Sequence, residues 1–241
     1  AGGTQLFVSE GDEETNAVIH GVIGFFAFTF ENAKEPAFRE IMQSCMSCNV
    51  FLWIITLILT VQFFCYDYAA GTVKLPIAYG ISRVKVYLAK VIVIILYHMV
   101  CYVLFNAVTL GFTCYWGGYV PCFAELIQYF GYIGLNFLVM VPFILLCLTV
   151  CICLKNTGII ATVLCVFTLG GAVIYTGIWQ NFHSHTILKY LVWLNPLYYW
   201  LNMGTFRLEY GLVYEIMIYF VFGLLFLLPL SVLLVRKQEF K

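Results

Sequence analysis

Five apolar segments, at about 45–66, 84–111, 125–154, 157–180 and 212–235, are each long enough to cross a bilayer core as a helix. Inside hydrocarbon every backbone amide has to be paired within the protein, which leaves helices and closed barrels, and the strict alternation of a barrel strand is absent from these runs. The expected fold class is therefore all-α: a polytopic membrane helical bundle forming one transmembrane domain over residues 1–241. Composition agrees, since 63% hydrophobic and 10% charged residues with a mean hydropathy of +0.96 lie far from soluble averages.

Residues 1–16 are polar and acidic, with Glu10, Asp12, Glu13 and Glu14. The apolar run at 17–30 is too short to cross and is expected to be interfacial or re-entrant. After Pro36, Phe38, Ile41, Met42 and Cys45 recur at helical spacing with Arg39, Glu40 and Gln43 opposite, which predicts an amphipathic surface helix leading into the first span. Residues 1–44 thus form an outer-side segment.

Charge sets the orientation. Net charge is zero, so the total points to no nucleic-acid partner, and the distribution carries the information. If the loop at 67–83 is cytoplasmic, so are Lys155 and the C-terminal tail. That side then holds eight bases (Lys74, Arg83, Lys85, Lys90, Lys155, Arg236, Lys237, Lys241) against Asp67 and Glu239, leaving four bases and ten acids for the other. The positive-inside rule favours this arrangement. It puts Ala1 outside, so an upstream transmembrane helix is expected to precede this chain, giving six spans in all.

Several features lie within the spans. Pro142 and Pro229 are expected to kink their helices, and Gly170, Gly171 and Gly177 to let another helix approach closely. His98, Asn106 and Asn136 are the deepest polar groups and the candidates for a substrate path, although a neutral histidine bonded to a neighbouring helix is the commoner case. Most of the ten cysteines sit in apolar runs as small hydrophobes, while Cys45 with Cys48 and Cys114 with Cys122 are near the outer face, where oxidation is possible chemistry. Aromatics at 115–119 and 193–200 fit an interface belt. The connection at 181–211 is too apolar for a free loop, and its Asn195-Pro196 pair predicts two short helices meeting at the proline in the outer leaflet.

Sites for chemistry are missing from the pattern. Walker A, HExxH and GxSxG do not occur, no metal site is expected, and His183 with His185 is a weak ligand pattern without companions. What stands out instead is the polar interruption at 66–90. Ser82 suits the N-cap of the following span and Gly80 the turn before it. Arg83 and Lys85 then fall in a first helical turn, where the macrodipole disfavours cations, so anionic lipid headgroups or an acidic partner surface should offset them. Residues 68–79 suggest a short helix along the membrane surface, with Pro76 breaking or restarting it near Thr72.

The order Asp67, Gly71, Thr72, Lys74, Ser82, Arg83 and Lys90 resembles the first intracellular region of ABC-2-type permeases. These are the six-span membrane subunits of ABC transporters that include antibiotic-peptide immunity and drug-export systems. The resemblance extends more weakly to the short second cytoplasmic turn, the aromatic Asn-Pro region and the basic tail. It implies a coupling helix on the cytoplasmic side, in residues 67–83, docking on separate ATPase subunits that hold ATP and Mg, with no cofactor in this chain. A second permease subunit, homo- or heterodimeric, and a bacterial plasma membrane are implied with it. The implied function is export of an amphipathic or peptide-like substrate, such as an antimicrobial peptide or drug, with Asp67, Lys74 and Arg83 as polar contacts. Two features depart from the family pattern: Pro76 stands where a helix former is usual, and the first span lies outside this chain. The alternative is an ATP-independent membrane protein, whether a secondary carrier, an anchor or a sensor. A carrier should show repeated broken helices, and no convincing pair is visible.

Overall fold

The computed structural model describes residues 4–10, 13–22, 25–30, 38–69, 71–154, 156–177, 194–203 and 210–237. Three strands come first: β1 (Thr4–Glu10), β2 (Glu13–Val22) and β3 (Phe25–Phe30). Helices follow: α1 (Phe38–Ala69), α2 (Lys74–Ala78), α3 (Arg83–Gly117), α4 (Phe123–Leu154), α5 (Thr157–Gly177), α6 (Pro196–Met203), α7 (Tyr210–Phe222), a π-helical turn at Gly223–Leu227, and α8 (Leu228–Lys237). Contacts divide the chain into two compact units. Ala1–Leu52, Cys101–Gly134 and Gly204–Arg207 make the first; Trp53–Val100, Leu135–Met203 and Leu208–Lys241 make the second.

The helical expectation holds from Phe38 on, and the N-terminal segment departs from it. The three strands form an antiparallel sheet in the order β1-β2-β3, with Glu10 opposite Glu13 and Val22 opposite Phe25. The run at 17–30, expected to be interfacial or re-entrant, is instead split between β2 and β3. Its content explains this: Val18, Ile19, Val22 and four phenylalanines favour extended backbone, and a glycine interrupts the run at its centre. The amphipathic helix expected to lead into the first span does so, but its apolar face does not lie on a surface. Phe38–Ala69 is one continuous helix, and its predicted apolar face, Ile41, Met42 and Cys45, is buried in the protein.

Three helical stretches among the described residues are long and apolar enough to cross a membrane: Arg83–Gly117, Phe123–Leu154 and Gly211–Lys237. Two shorter apolar helices, Phe51–Asp67 and Thr157–Thr168, lie in the other two expected spans. The chain is a membrane protein.

In the first unit, α3 and α4 are joined by the Tyr129 hydroxyl, which donates to the Asn106 carbonyl at 3.2 Å and to its side-chain oxygen at 3.3 Å. Their connection is a built turn. Gly118 takes φ +63°, where a side chain would be strained, and Glu125 reaches back to accept from the Cys122 amide at 2.7 Å. That is half of a capping box, with the carboxylate in the first turn of α4. The other Glu125 oxygen accepts from Tyr119 at 2.6 Å, and this bond pushes the Tyr119 phenol up to about 12. All ten cysteines are free, so neither of the two candidate pairs is bridged.

In the second unit α4 is the enclosed element. Residues 139–145 are buried on every face, as a helix apolar all round should be. Trp53 packs its ring 5.3 Å from Phe143. The helix runs through Pro142 without interruption. Pro229 is preceded by the π-helical turn, in which the Leu228 amide donates to the Gly223 carbonyl. A wide turn is one way to accommodate the donor that proline lacks. Among the described residues a side chain at Gly170 would meet nothing within 4 Å, so the expected close approach is not seen there, while the surroundings of Gly171 and Gly177 lie outside what is described. A close approach occurs at Gly223, where an added Cβ would lie 2.6 Å from the Cβ of Pro142.

Candidate functional site

The polar interruption lies wholly within the second unit, and it is built from three helix ends. α1 continues to Ala69, beyond the expected span end, and Gly71 then takes φ +69° to turn the chain away. α2 begins only at Lys74, so the expected surface helix over 68–79 shortens to five residues. Pro76 explains its placement. Starting two residues earlier puts the proline in the first helical turn, where its missing N–H has no intrahelical partner to lose. Gly80, at φ +83°, ends it as expected. Ser82 caps α3 as expected too: its carbonyl accepts from the Val86 amide at 3.2 Å and its hydroxyl from the Lys85 amide at 3.4 Å.

Asp67 is the centre of the region. Its carboxylate pairs with the Lys90 ammonium at 2.6 Å and accepts from the Thr72 hydroxyl at 3.1 Å. Thr72 also reaches the Asp67 main-chain carbonyl at 3.2 Å, one of the orphan acceptors at the end of α1. The hydrogen bond from Lys90, helped by Thr72, holds the Asp67 carboxyl below the usual carboxylate range. Asp67, Gly71, Thr72 and Lys90 therefore form a clamp tying the end of α1 to the second turn of α3. Lys74 lies outside it, on an exposed α2 that has no buried residue, while Ser82 and Arg83 open α3. Asp67 was expected as a contact to a partner; its carboxylate is engaged inside the chain.

Other contacts bring further helix ends to the same place. Cys65 near the end of α1 lies close to Cys151 near the end of α4, and Tyr87 of α3 lies close to Ser231 of α8, whose hydroxyl donates to the Leu228 carbonyl at 2.7 Å. Arg236 and Lys237 stand in the last turn of α8, and charge counting expects them on the same side as the bases at the start of α3. Lys155 and residues 238–241 lie outside the described residues.

Of the three candidate path residues, His98 and Asn136 belong to the second unit and Asn106 to the first. His98 is buried, with Nδ1 2.7 Å from the Ile94 carbonyl and Nε2 without a hydrogen-bond partner among the described residues. Within the first unit, Asn106 donates to the Tyr102 carbonyl at 2.9 Å and accepts from Tyr129 at 3.3 Å. Asn136 is as fully buried as Asn106, but neither its amide nitrogen nor its oxygen has a partner among the described residues.

Asn195 has a structural task. Its Oδ1 accepts from the Leu197 amide at 2.9 Å, capping α6 ahead of Pro196 at the first helical position, and its Nδ2 donates to the Phe167 carbonyl of α5 at 2.8 Å. Tyr219 donates to the neighbouring Leu194 carbonyl at 3.2 Å. The short helix expected after the proline is present. Its expected partner before the proline, and His183 and His185, lie outside the described residues. Among the described residues no cluster of three or more metal-ligating side chains occurs.

Sequence reading missed the Asp67–Lys90 pair as a pair and the Gly223–Pro142 contact. A signal existed for the first, because Asp67 is the lone acid among four bases between residues 66 and 90. None existed for the second, which depends on which helices are neighbours. No family model, curated protein or solved structure matches this chain.

Proposed function

We propose that this chain is a multi-span permease subunit of an ATP-driven exporter of the ABC-2 type, seated in a bacterial plasma membrane. It pairs with a second permease subunit and with separate ATPase subunits that hold ATP and Mg, and it moves an amphipathic or peptide-like substrate outward. The observation that supports this reading is the anchorage of an outward-facing helix. α2 presents Lys74, Leu75 and the 82%-exposed Tyr79 beside it, while the clamp of Asp67, Thr72 and Lys90 ties α1 to α3 behind it. A force applied to a surface helix reaches the spans only if its flanking helices are rigidly joined. In this reading Lys74 and Arg83 meet the ATPase, and Asp67, Gly71, Thr72, Ser82 and Lys90 position them.

The test is co-purification of the chain with the ATPase encoded beside it, followed by ATP turnover of the complex. Lys74→Glu and Tyr79→Ala are expected to lower ATPase retention severalfold with the unfolding midpoint of the chain unchanged. Unchanged retention and turnover in both variants overturns the reading. So does transport by the purified chain with no nucleotide-hydrolysing partner, which is the outcome an ATP-independent carrier predicts.

A further inference from the structure

The clamp forms one edge of an open groove of about 610 Å³ between the end of α1, α2 and the first turns of α3. Its lower wall is apolar: Phe63, Val86 and Val93 line it, and Phe63 and Val93 are 50% and 61% exposed, so this wall opens outward from the chain. The wall continues down α3 into Leu96 and Val100, exposed side chains of a helix apolar enough to cross a membrane. Its upper rim carries Lys85, Lys90 and Asp67. Lys90 is neutralised by Asp67, whereas no carboxylate among the described residues pairs with the exposed Lys85, so the rim keeps one positive charge.

We infer that this groove binds a single anionic phospholipid, with its phosphate at Lys85 and one acyl chain along Phe63 and Val93. Three observations favour a lipid over a protein segment. The apolar wall is continuous with outward-facing span residues, so in a bilayer hydrocarbon is what lies against it. The cationic rim stands where the chain leaves the apolar zone, which is the depth of a phosphate. Finally, about 610 Å³ is little more than one turn of a helix 10–12 Å across, too small a seat for a docked helix and ample for part of an acyl chain. Lys85 also opposes the macrodipole of α3 from its first turn, and an adjacent phosphate offsets that cost. The inference needs only the membrane placement and does not rest on an ATPase partner.

The experiment uses the full chain in detergent, with phosphatidylglycerol or phosphatidylcholine added and the lipid retained counted by native mass spectrometry. One phosphatidylglycerol per chain should be retained in preference to phosphatidylcholine. Lys85→Gln should weaken that retention about fivefold, the factor that corresponds to ~1 kcal/mol per basic residue at a membrane surface, and Lys85→Arg should restore it. Val93→Trp, which fills the groove from an exposed position, should weaken retention of both lipids. Lys237→Gln, an exposed base on α8 outside the groove, should leave it unchanged. Equal loss in Lys237→Gln would mean diffuse surface charge and overturn the site, as would wild-type retention in Lys85→Gln. If Val93→Trp instead converts a dimer to a monomer while lipid retention is untouched, the groove is an interface between copies and the inference falls.

Discussion

At the scale of single residues, the polar interruption is a lesson in what charge pairing inside a helical hairpin does. Asp67 and Lys90 are 23 positions apart and half-buried, so their pair is stronger than a free surface ion pair only to the extent that Thr72 fixes its geometry. In a double-mutant cycle, Asp67→Asn with Lys90→Met should show a coupling of roughly 0.5–1 kcal/mol in thermal unfolding. The pH dependence has a definite sign. Because the folded carboxyl titrates below the unfolded value, the clamp contributes fully above about pH 4 and fades as pH falls through the lower folded value. The difference in unfolding midpoint between wild type and Asp67→Asn should therefore be flat from about pH 6 to 8 and shrink below about pH 4. Asn136 makes the opposite case. A buried amide without partners costs about 1–3 kcal/mol, so Asn136→Leu should raise the unfolding midpoint. If transport is lost in that more stable variant, Asn136 is retained for the substrate path; if transport survives, the residue has no part in it.

At the scale of elements, two prolines and two glycines show which local rules survive packing. Pro76 looked like a helix breaker because the helix was expected to start near Tyr68. α1 takes those residues to Ala69, and the new helix begins two residues before the proline, where proline fits. Pro76→Ala should accordingly shift stability by no more than about 0.5 kcal/mol, since no intrahelical bond is gained or lost and α2 is exposed. Gly223→Ala should behave otherwise. Its Cβ would stand 2.6 Å from the Cβ and 3.0 Å from the Cα of Pro142, a ring and backbone that cannot rotate aside, so α7 and the π turn must shift. A loss of about 1–3 kcal/mol is expected in thermal or denaturant unfolding in detergent. Gly170→Ala is the matched control: with nothing within 4 Å among the described residues, it should not destabilise and should gain up to about 1 kcal/mol from the helix propensity of alanine over glycine. Sequence favoured the glycines of α5 because they cluster. A glycine's consequence, however, depends on the partner helix, which local pattern does not encode.

At the scale of the whole molecule, what sequence makes legible is what depends on length and sign. Helical spans follow from run length and from the cost of unpaired amides in hydrocarbon, and the caps at Ser82 and Asn195 follow from local chemistry. Boundaries do not follow, because a helix has no reason to stop where hydrocarbon stops: α1 begins seven residues before its expected span and ends three after it. The sheet at 4–30 was hidden for a related reason, since a short apolar run is compatible with strand, interfacial helix or re-entrant loop until its pairing partner is known. Sign alone gives an expected orientation, and that expectation leads to the last prediction. Cys122, exposed in the turn before α4, should be on the outer side if the loop at 67–83 is cytoplasmic. A membrane-impermeant maleimide applied to intact cells should label the chain, and Cys122→Ser should abolish most of that labelling. Tyr79→Cys, at an 82%-exposed position beside α2, should add labelling only after the cells are permeabilised. Labelling of Tyr79→Cys in intact cells would invert the topology, moving α2 to the outer face, where no ATPase can reach it, and removing the basis for the proposed function at one step.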